Sequence, residues 1–403
     1  MIEKPRFFKK ILKNGMTVIF EERKWSGVVS VAIAVQHGGL HEAEEEKGIS
    51  HFIEHMLYRS TKNRTPKQIS EDIEKNGGIL NGFTEEELTA FWCKMPSKHL
   101  DMALDVLSDM ILNPLFDEDE MNKERLVIFE EMKMRRDVPS IFITDKIQGL
   151  LYAGNLGHDL IGTEKSMNSI TREKMREKFQ KAYGSQNLIL CVVGDCDFKS
   201  LCEFAEKNFK KSGFKIPEPK ITLKNGQKIE RKKGIDQANL ILAYHAPRAF
   251  TKQSYVSQVL SCLMTGGMSS RLFQEIREKR NLAYVVKGGY NGAKRFGYNS
   301  IFVGTTADKV EIVKKLIIEE FTKLKTLSEN ELNQVKEQLI GNSKISREDS
   351  QGQMIDLLYN EVWGDAKRSY RYEENIRKVK LADVKKLAKI NKYSFIALVP
   401  EDK

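Results

Sequence analysis

No apolar run in this chain of 403 residues is long enough to cross a bilayer, because the longest, at 28–35, is far shorter than the roughly 20 residues of a membrane helix. The amino terminus also lacks the apolar core of a signal peptide. Cysteine is scarce and odd in number, and its wide spacing matches neither a disulfide framework nor a cysteine zinc site: Cys93, Cys191, Cys196, Cys202 and Cys262. These absences predict a cytoplasmic protein with reduced thiols and no membrane association.

Acidic residues are outnumbered, with 56 Asp and Glu against 66 Lys and Arg and a net charge of +10. The two signs are interspersed, however, and no basic segment alternates with aromatic residues as nucleic-acid modules do. We therefore expect no nucleic-acid partner. Gly266 and Gly267 lack the following Lys-Ser/Thr of a phosphate-binding loop, which excludes that class of nucleotide site.

The segment from His51 to His55 carries the residues of a metal site, in the order His-x-x-Glu-His of an inverted zinc-protease motif. Residues four apart lie one turn above each other on a helix, so both imidazoles can reach one metal ion. Glu54 shares their face and can accept a proton from a metal-bound water. A solvated helix face is the alternative. The helix itself is predicted by apolar residues at helical spacing: Ile49, Phe52, Ile53, Met56 and Leu57.

A catalytic zinc site needs a third protein ligand and one open position for water. The segment 124–132 has apolar residues at helical spacing, which predicts a second amphipathic helix with acidic residues on its surface. We predict that Glu131 is the third ligand and that Glu124, two turns earlier on the same face, orients the site. Glu130 stays open as the alternative ligand, and a solvated acidic face is the alternative to any metal role.

The chain repeats its own pattern when it is shifted so that Glu124 falls on Glu331. The apolar stripe of the first helix then falls on Val259, Leu260 and Leu263. The same shift loses every residue of the predicted metal site, because His51, Glu54, His55 and Glu131 fall in turn on other residues: Gln258, Ser261, Cys262 and Gln338. We therefore predict one catalytic domain and one inert structural sibling.

Length and repetition together predict two similar domains, 1–212 and 226–403, joined by a Gly-, Pro- and Lys-containing linker at 213–225. Each half shows strands, a helix, strands, further helices and a final strand. Helices are predicted at 100–112 and 310–324, and the alternating segment 90–95 is predicted as a half-buried strand. The fold class is α+β, in which each domain has a mixed, mainly antiparallel sheet covered by helices on one face.

These motifs resemble those of the pitrilysin, insulin-degrading enzyme and mitochondrial processing peptidase family of inverted-motif zinc peptidases. Glu124 and Glu131 follow the motif at that family's spacing. The segment 77–84 is similar to its Gly-Gly-x-x-Asn-Ala-x-Thr, with Gly82 in place of the usual alanine. Leu-Ile-Gly-Thr at 160–163 and the segment 267–284 also resemble it. The match covers nearly the whole chain and indicates a short, two-domain bacterial-type member.

The resemblance implies a zinc endopeptidase in which His51, His55 and Glu131 hold Zn²⁺ and Glu54 is the general base. It also implies that Asn81 contacts the substrate backbone, with a role inside its own loop as the alternative. Arg277 and Tyr284, from the inert domain, are implied to bind the substrate near the scissile carbonyl. Both can donate to an oxyanion, and their spacing predicts that they share one helix face.

Partners are implied in the same way. Larger family members carry four such domains, so two domains here imply a homodimer that encloses a chamber, with a heterodimer as the alternative. The substrates are expected to be peptides or unfolded segments, held as an added strand at a sheet edge supplied by 77–84. The alternative function is a non-catalytic or partner-dependent subunit of a processing-peptidase-like heteromeric assembly.

Overall fold

The computed structural model describes residues 6–401. The first elements are β1 (Arg6–Ile11), β2 (Thr17–Glu22), β3 (Val28–Val35), α1 (Ile49–Leu57), α2 (Pro66–Glu74), β4 (Ile79–Thr84), β5 (Thr89–Pro96), α3 (Leu100–Leu112), α4 (Glu118–Asp137) and α5 (Pro139–Leu151). They are followed by β6 (Tyr152–Ala153), α6 (Glu164–Ser169), α7 (Arg172–Ala182), β7 (Leu188–Gly194) and α8 (Phe198–Asn208).

The remaining strands and helices begin after a segment without regular structure at 209–221. They are β8 (Thr222–Leu223), β9 (Gln227–Lys232), β10 (Ala238–His245), α9 (Gln253–Thr265), a π-helical segment (Phe273–Glu278), β11 (Val285–Gly292), β12 (Gly297–Thr305), α10 (Val310–Lys323), α11 (Glu329–Glu348), α12 (Ser350–Trp363), α13 (Tyr372–Arg377), α14 (Leu381–Leu387) and β13 (Ser394–Pro400). The helices predicted at 100–112 and 310–324 are confirmed by α3 and α10.

The chain forms two compact units, and each takes a segment from the other half of the sequence. Of the described residues, the first unit contains 6–132, Asp159–Lys220 and Ser346–Ser369. The second contains Lys133–His158, Ile221–Ile345 and 370–401. No helix among residues 6–401 combines the length and the apolar character needed to cross a membrane.

The first unit is built on a six-stranded sheet of order β1-β2-β7-β3-β5-β4. Every neighbouring pair is antiparallel except β2 and β7. One face of the sheet packs against helices that include α1, α3 and α8, and this layer forms the main apolar core. The α+β class predicted from the sequence is confirmed.

The opposite face of this sheet is also covered, which the sequence did not predict. Met354, Leu357 and Leu358 of α12 pack against alternate residues of the strands, including Ala90 and Trp92. Strand β5, expected to be half-buried, is therefore buried on both faces along most of its length. The covering helix comes from the far end of the sequence, so the alternation along β5 alone could not indicate it.

The second unit repeats this plan. Its five-stranded sheet has the order β11-β12-β10-β13-β9. These strands correspond in turn to β4, β5, β3, β7 and β2 of the first sheet, which has β1 as an additional outer strand. The single parallel pair, β13 with β9, corresponds to β7 with β2. One face forms a core with α9 and α10, and α5 lies against β10 and β13. This correspondence is what a duplication predicts.

The position of α1 is set at its first turn. All five residues of its predicted apolar stripe are at most 1% exposed. Gly48, with φ of 94°, precedes the helix in a backbone conformation that favours glycine. The buried Glu42 carboxylate accepts hydrogen bonds from the amides of Gly48 and Ser50, at 2.9 and 2.8 Å. A carboxylate at this end of a helix satisfies unpaired amides and interacts favourably with the helix dipole.

Candidate metal centre

Three side chains from two helices converge at one point of the first unit. α1 supplies His51 and His55, α4 supplies Glu131, and one ligand atom of each lies within 4.8 Å of the others. Glu131 Oε2 is 3.6 Å from His51 Nε2 and 3.7 Å from His55 Nε2. In the part of the chain that the structure describes, this is the one such grouping of His, Cys, Asp and Glu. The alternative ligand Glu130 is exposed and lies outside it.

This donor set fits a zinc ion. Zinc bonds of about 2.0–2.2 Å at tetrahedral angles place neighbouring ligand atoms roughly 3.4 Å apart, which is close to the observed separations. Two imidazoles and one carboxylate leave one tetrahedral position open, as catalytic zinc sites do. Burial lowers the pKa of His55, which keeps its ring neutral and able to bind a metal.

Glu124 fixes the orientation of His55. Its Oε2 lies 3.0 Å from His55 Nδ1. Since the carboxylate accepts this hydrogen bond, Nδ1 carries the proton and Nε2 presents its lone pair towards Glu131. The other oxygen of Glu124 pairs with the Arg59 guanidinium, so the carboxylate, only 3% exposed, has a partner on each side.

Glu54 lies beside the ligands with its carboxylate held by a different element. Its Oε2 accepts a hydrogen bond of 2.6 Å from Thr84 Oγ1 on β4. Burial raises the pKa of Glu54; the Thr84 hydrogen bond and His55 lower it by smaller amounts, and Glu131 raises it slightly. A carboxylate of raised pKa is better suited to take up and return a proton near neutral pH.

Strand β4 forms the edge that the sequence predicted at 77–84. Within the sheet it pairs with β5 alone. The backbone groups along the outer side of such a strand can pair with another extended chain. Asn81 lies on β4, and its side-chain oxygen accepts a hydrogen bond of 2.8 Å from the Gly82 amide. Its side chain thus makes a contact within its own segment, and the exposed Asn81 stays a predicted contact of the substrate backbone.

Arg277 and Tyr284 lie in the second unit, and the expectation that they share a helix face is wrong. Arg277 belongs to the π-helical segment Phe273–Glu278, whereas Tyr284 directly precedes β11. Between them, Asn281 adopts a left-handed φ of 51°, which is incompatible with a continuous helix. The Arg277 guanidinium lies 4.8 Å from the centre of the Phe273 ring, and Tyr284 is 50% exposed.

In the second unit, residues equivalent to the metal site are engaged in other contacts. Gln338, opposite Glu131, donates to the carbonyl of Gly266. Glu331, opposite Glu124, accepts two hydrogen bonds from the Arg271 guanidinium, at 2.6 and 2.7 Å. The second unit thus keeps the helical framework with different side-chain pairs.

Two partners of the site, Arg59 and Thr84, were not predicted from the sequence. Arg59 follows His55 by four residues, just after the end of α1, so its spacing was a usable signal. Thr84 is the last residue of the segment 77–84, which the sequence predicted as a substrate-binding edge. Its contact with Glu54 exists only because β4 packs against α1 in the folded chain.

We expect Glu124→Gln to lower zinc affinity by about 10- to 100-fold, because the neutral amide orients His55 less strongly and leaves Arg59 without its anionic partner. Competition with a chromophoric chelator measures this affinity. Glu118→Gln, at an exposed position earlier in α4, is the matched control. Equal zinc affinity in both variants would show that Glu124 does not orient the site.

Comparison with known proteins finds matches over most of this chain. Residues 17–164 match the family model described as Insulinase (Peptidase family M16), and residues 169–339 match that of the Peptidase M16 inactive domain. An uncharacterized zinc protease from Rickettsia felis is 35% identical over 86% of this chain and 85% of its own. The uncharacterized zinc protease YmxG of Bacillus subtilis is 31% identical over 87% of both chains.

Solved structures show the same fold at lower sequence identity. A protease from Helicobacter pylori superimposes with a TM-score of 0.92 at 23% identity, covering 98% of this chain and 100% of that one. A putative M16-like peptidase from Alicyclobacillus acidocaldarius gives a TM-score of 0.84 at 16% identity, with 100% of both chains covered. At these identities the similarity establishes the two-domain α+β fold.

Proposed function

This chain belongs to the insulinase family of peptidases, family M16, and from that premise we propose that it is a zinc-dependent endopeptidase. The observation that carries the proposal is the convergence of His51, His55 and Glu131 with the partly buried Glu54 beside them. Two of the relatives that it matches are named zinc proteases. The substrates are peptides or unfolded segments, hydrolysed at internal peptide bonds.

In the proposed reaction His51, His55 and Glu131 hold the ion. When bound there, zinc lowers the pKa of water and polarises the scissile carbonyl. Glu54 takes the proton from the attacking water and passes it to the leaving amine, and its raised pKa makes it a stronger base for the first of these transfers. Thr84 holds Glu54 Oε2 during these steps, and Glu124 keeps the His55 lone pair on the ligand side.

The peptide is proposed to lie extended along β4. Main-chain hydrogen bonds to an edge strand bind a peptide with little regard to its sequence, and β4 carries Thr84, which contacts Glu54.

The five cysteines form no disulfide, which suits the reducing cytoplasm in which we place the enzyme.

The first test is cleavage of a quenched peptide library by the pure protein. We expect the zinc-loaded protein to cleave peptides, to lose this activity on dialysis against a chelator, and to recover it after one equivalent of zinc is added. A protein that binds zinc and cleaves no peptide of the library would refute the proposal for the isolated chain and favour a partner-dependent subunit.

We further propose a homodimer that closes a chamber around the peptide, in which Arg277 and Tyr284 of one subunit donate to the substrate carbonyl beside His51 of the other. Both side chains are donors, and Tyr284 is half-exposed.

Mixing Arg277→Ala protein with Glu54→Gln protein tests the shared site. Each variant alone is expected to be nearly inactive, while exchanged dimers contain one intact site and regain about a quarter to a half of wild-type activity. Subunit exchange is confirmed by native mass measurement. Exchange without recovery would show that each chain completes its own site.

A further inference from the structure

Tyr58 lies next to the candidate site and has no part in the mechanism above. It follows α1 directly, and its ring centre lies 6.0 Å from that of Phe91 on β5. Its buried hydroxyl has no hydrogen-bond partner among residues 6–401. A buried hydroxyl in this state gives up the hydrogen bonds it would make to water, so its presence calls for a physical reason.

The hydroxyl occupies the space over Gly82 on β4. A β-carbon built at Gly82 would lie 2.5 Å from Tyr58 Oη and 2.8 Å from the carbonyl oxygen of Ala90. Both separations are too short for real atoms. The same point is 3.5 Å from Glu54 Oε1. The phenol of Tyr58 and the carboxylate of Glu54 therefore border one small volume, which stays open because position 82 is glycine.

Strand pairing explains why an aromatic ring covers this glycine. Gly82 pairs with Phe91 across the antiparallel ladder, and the Tyr58 ring packs near Phe91. An aromatic side chain placed over a strand glycine supplies the packing that the glycine lacks. Thr84, which holds Glu54 Oε2, lies two residues further along β4 and hence on the same side of the strand. The contacts at 82 and 84 together set the gap between α1 and this edge strand.

We propose that Tyr58 is a positioning residue for Glu54, because its hydroxyl over Gly82 fixes the distance between the general base and the edge strand β4. The inference rests on the proposed function, in which β4 holds the peptide. Since β4 has a sheet neighbour on one side alone, its distance from α1 depends strongly on these side-chain contacts. Tyr58 acts through Glu54 and the strand, without touching the reacting atoms.

A double-mutant cycle of Tyr58→Phe and Gly82→Ala tests this proposal. Tyr58→Phe is expected to lower kcat about threefold to tenfold with KM within about twofold, because the carboxylate loses its spacer while the peptide still pairs with β4. Gly82→Ala is expected to lower kcat about 100-fold, because the added β-carbon pushes β4 away from α1. It should also lower the thermal unfolding midpoint.

In the double variant the closer of the two clashes is gone. Its kcat is expected to exceed that of Gly82→Ala by at least about tenfold, which is a coupling that independent sites do not show. Recovery stays incomplete because the contact with the Ala90 carbonyl remains. The thermal midpoint should recover in the same non-additive way, and zinc content is expected to equal that of the wild type in all four proteins.

Two control variants accompany the cycle. Gly27→Ala adds a β-carbon with no heavy atom within 4 Å, and Tyr393→Phe removes a hydroxyl from a ring packed on the core of the second unit. Both are expected to keep the wild-type kcat. They separate the effect at the site from a general effect of either substitution.

Additive effects on kcat would overturn the positioning role. Non-additive midpoints with additive kcat values would also overturn it, since Tyr58 and Gly82 would then only pack together. A wild type that binds zinc without cleaving peptides contradicts the proposed function instead. In that case additive changes in the thermal unfolding midpoint would refute the inference, because the Tyr58 hydroxyl and a β-carbon at position 82 would then not compete for space.

Discussion

Glu54→Gln is expected to lower kcat by about 1,000-fold or more while zinc remains bound, which corresponds to roughly 4 kcal/mol of lost transition-state stabilisation. Glutamine has the shape of glutamate and can still accept the hydrogen bond from Thr84, but it cannot take a proton from water. Because the charge of Glu54 is not part of the ligand group, zinc stoichiometry should be unchanged. Metal analysis and peptide cleavage on the same preparation measure both quantities.

Glu118→Gln is the matched control for this substitution, since it makes the same chemical change at an exposed position. It should retain wild-type kcat and zinc content. If Glu54→Gln kept more than about a tenth of the activity, another group would have to be the general base. If it lost zinc as well, the loss of activity could not be assigned to proton transfer.

The second large effect is expected at Glu131. Glu131→Gln removes the anionic member of the three ligands and should lower zinc affinity by more than about 100-fold, with activity lost in parallel. The neutral amide is a poor zinc ligand, and the two histidines that remain on α1 do not complete the site. Competition with a chromophoric chelator gives the affinity.

Glu130→Gln distinguishes between the two registers that the sequence left open. Glu130 is the adjacent residue on α4, is exposed and lies outside the ligand group. Its substitution should leave zinc affinity within about twofold of wild type, as surface changes usually do. The opposite result, zinc loss in Glu130→Gln and retention in Glu131→Gln, would show that α4 is rotated relative to the arrangement described above.

The two units share a similar framework of helices but carry different side chains at equivalent positions. In the first unit, α1 and α4 bring His51, His55 and Glu131 together. In the second, the equivalent Gln338 and Glu331 bind Gly266 and Arg271. The hydrogen bond from Gln338 links α11 to Gly266 at the end of α9, so polar contacts join these helices in the second unit without the metal ligands. This agrees with its match to a family model described as an inactive domain.

Local pattern determined much of this protein from the sequence. The apolar stripe from Ile49 to Leu57 predicted α1, because residues three and four apart share a helix face whatever surrounds them. The spacing of His51, Glu54 and His55 on that helix followed from the same periodicity. The turn at Gly77 and the strand after it predicted the edge strand β4. Each of these features depends on neighbours within a few residues.

Contacts between distant segments were decided by the tertiary structure alone. The alternation along β5 gave no sign that α12 covers its second face. The spacing of Arg277 and Tyr284 did not reveal the π-helical segment that contains Arg277 or the turn that separates the two residues. The sequence also showed that Gly82 departs from the alanine of the family it resembles, but not why. The Tyr58 hydroxyl takes the place of that β-carbon only because α1 lies over β4. Periodicity fixes which face a residue is on, whereas the choice of partner depends on which elements the folded chain brings within reach.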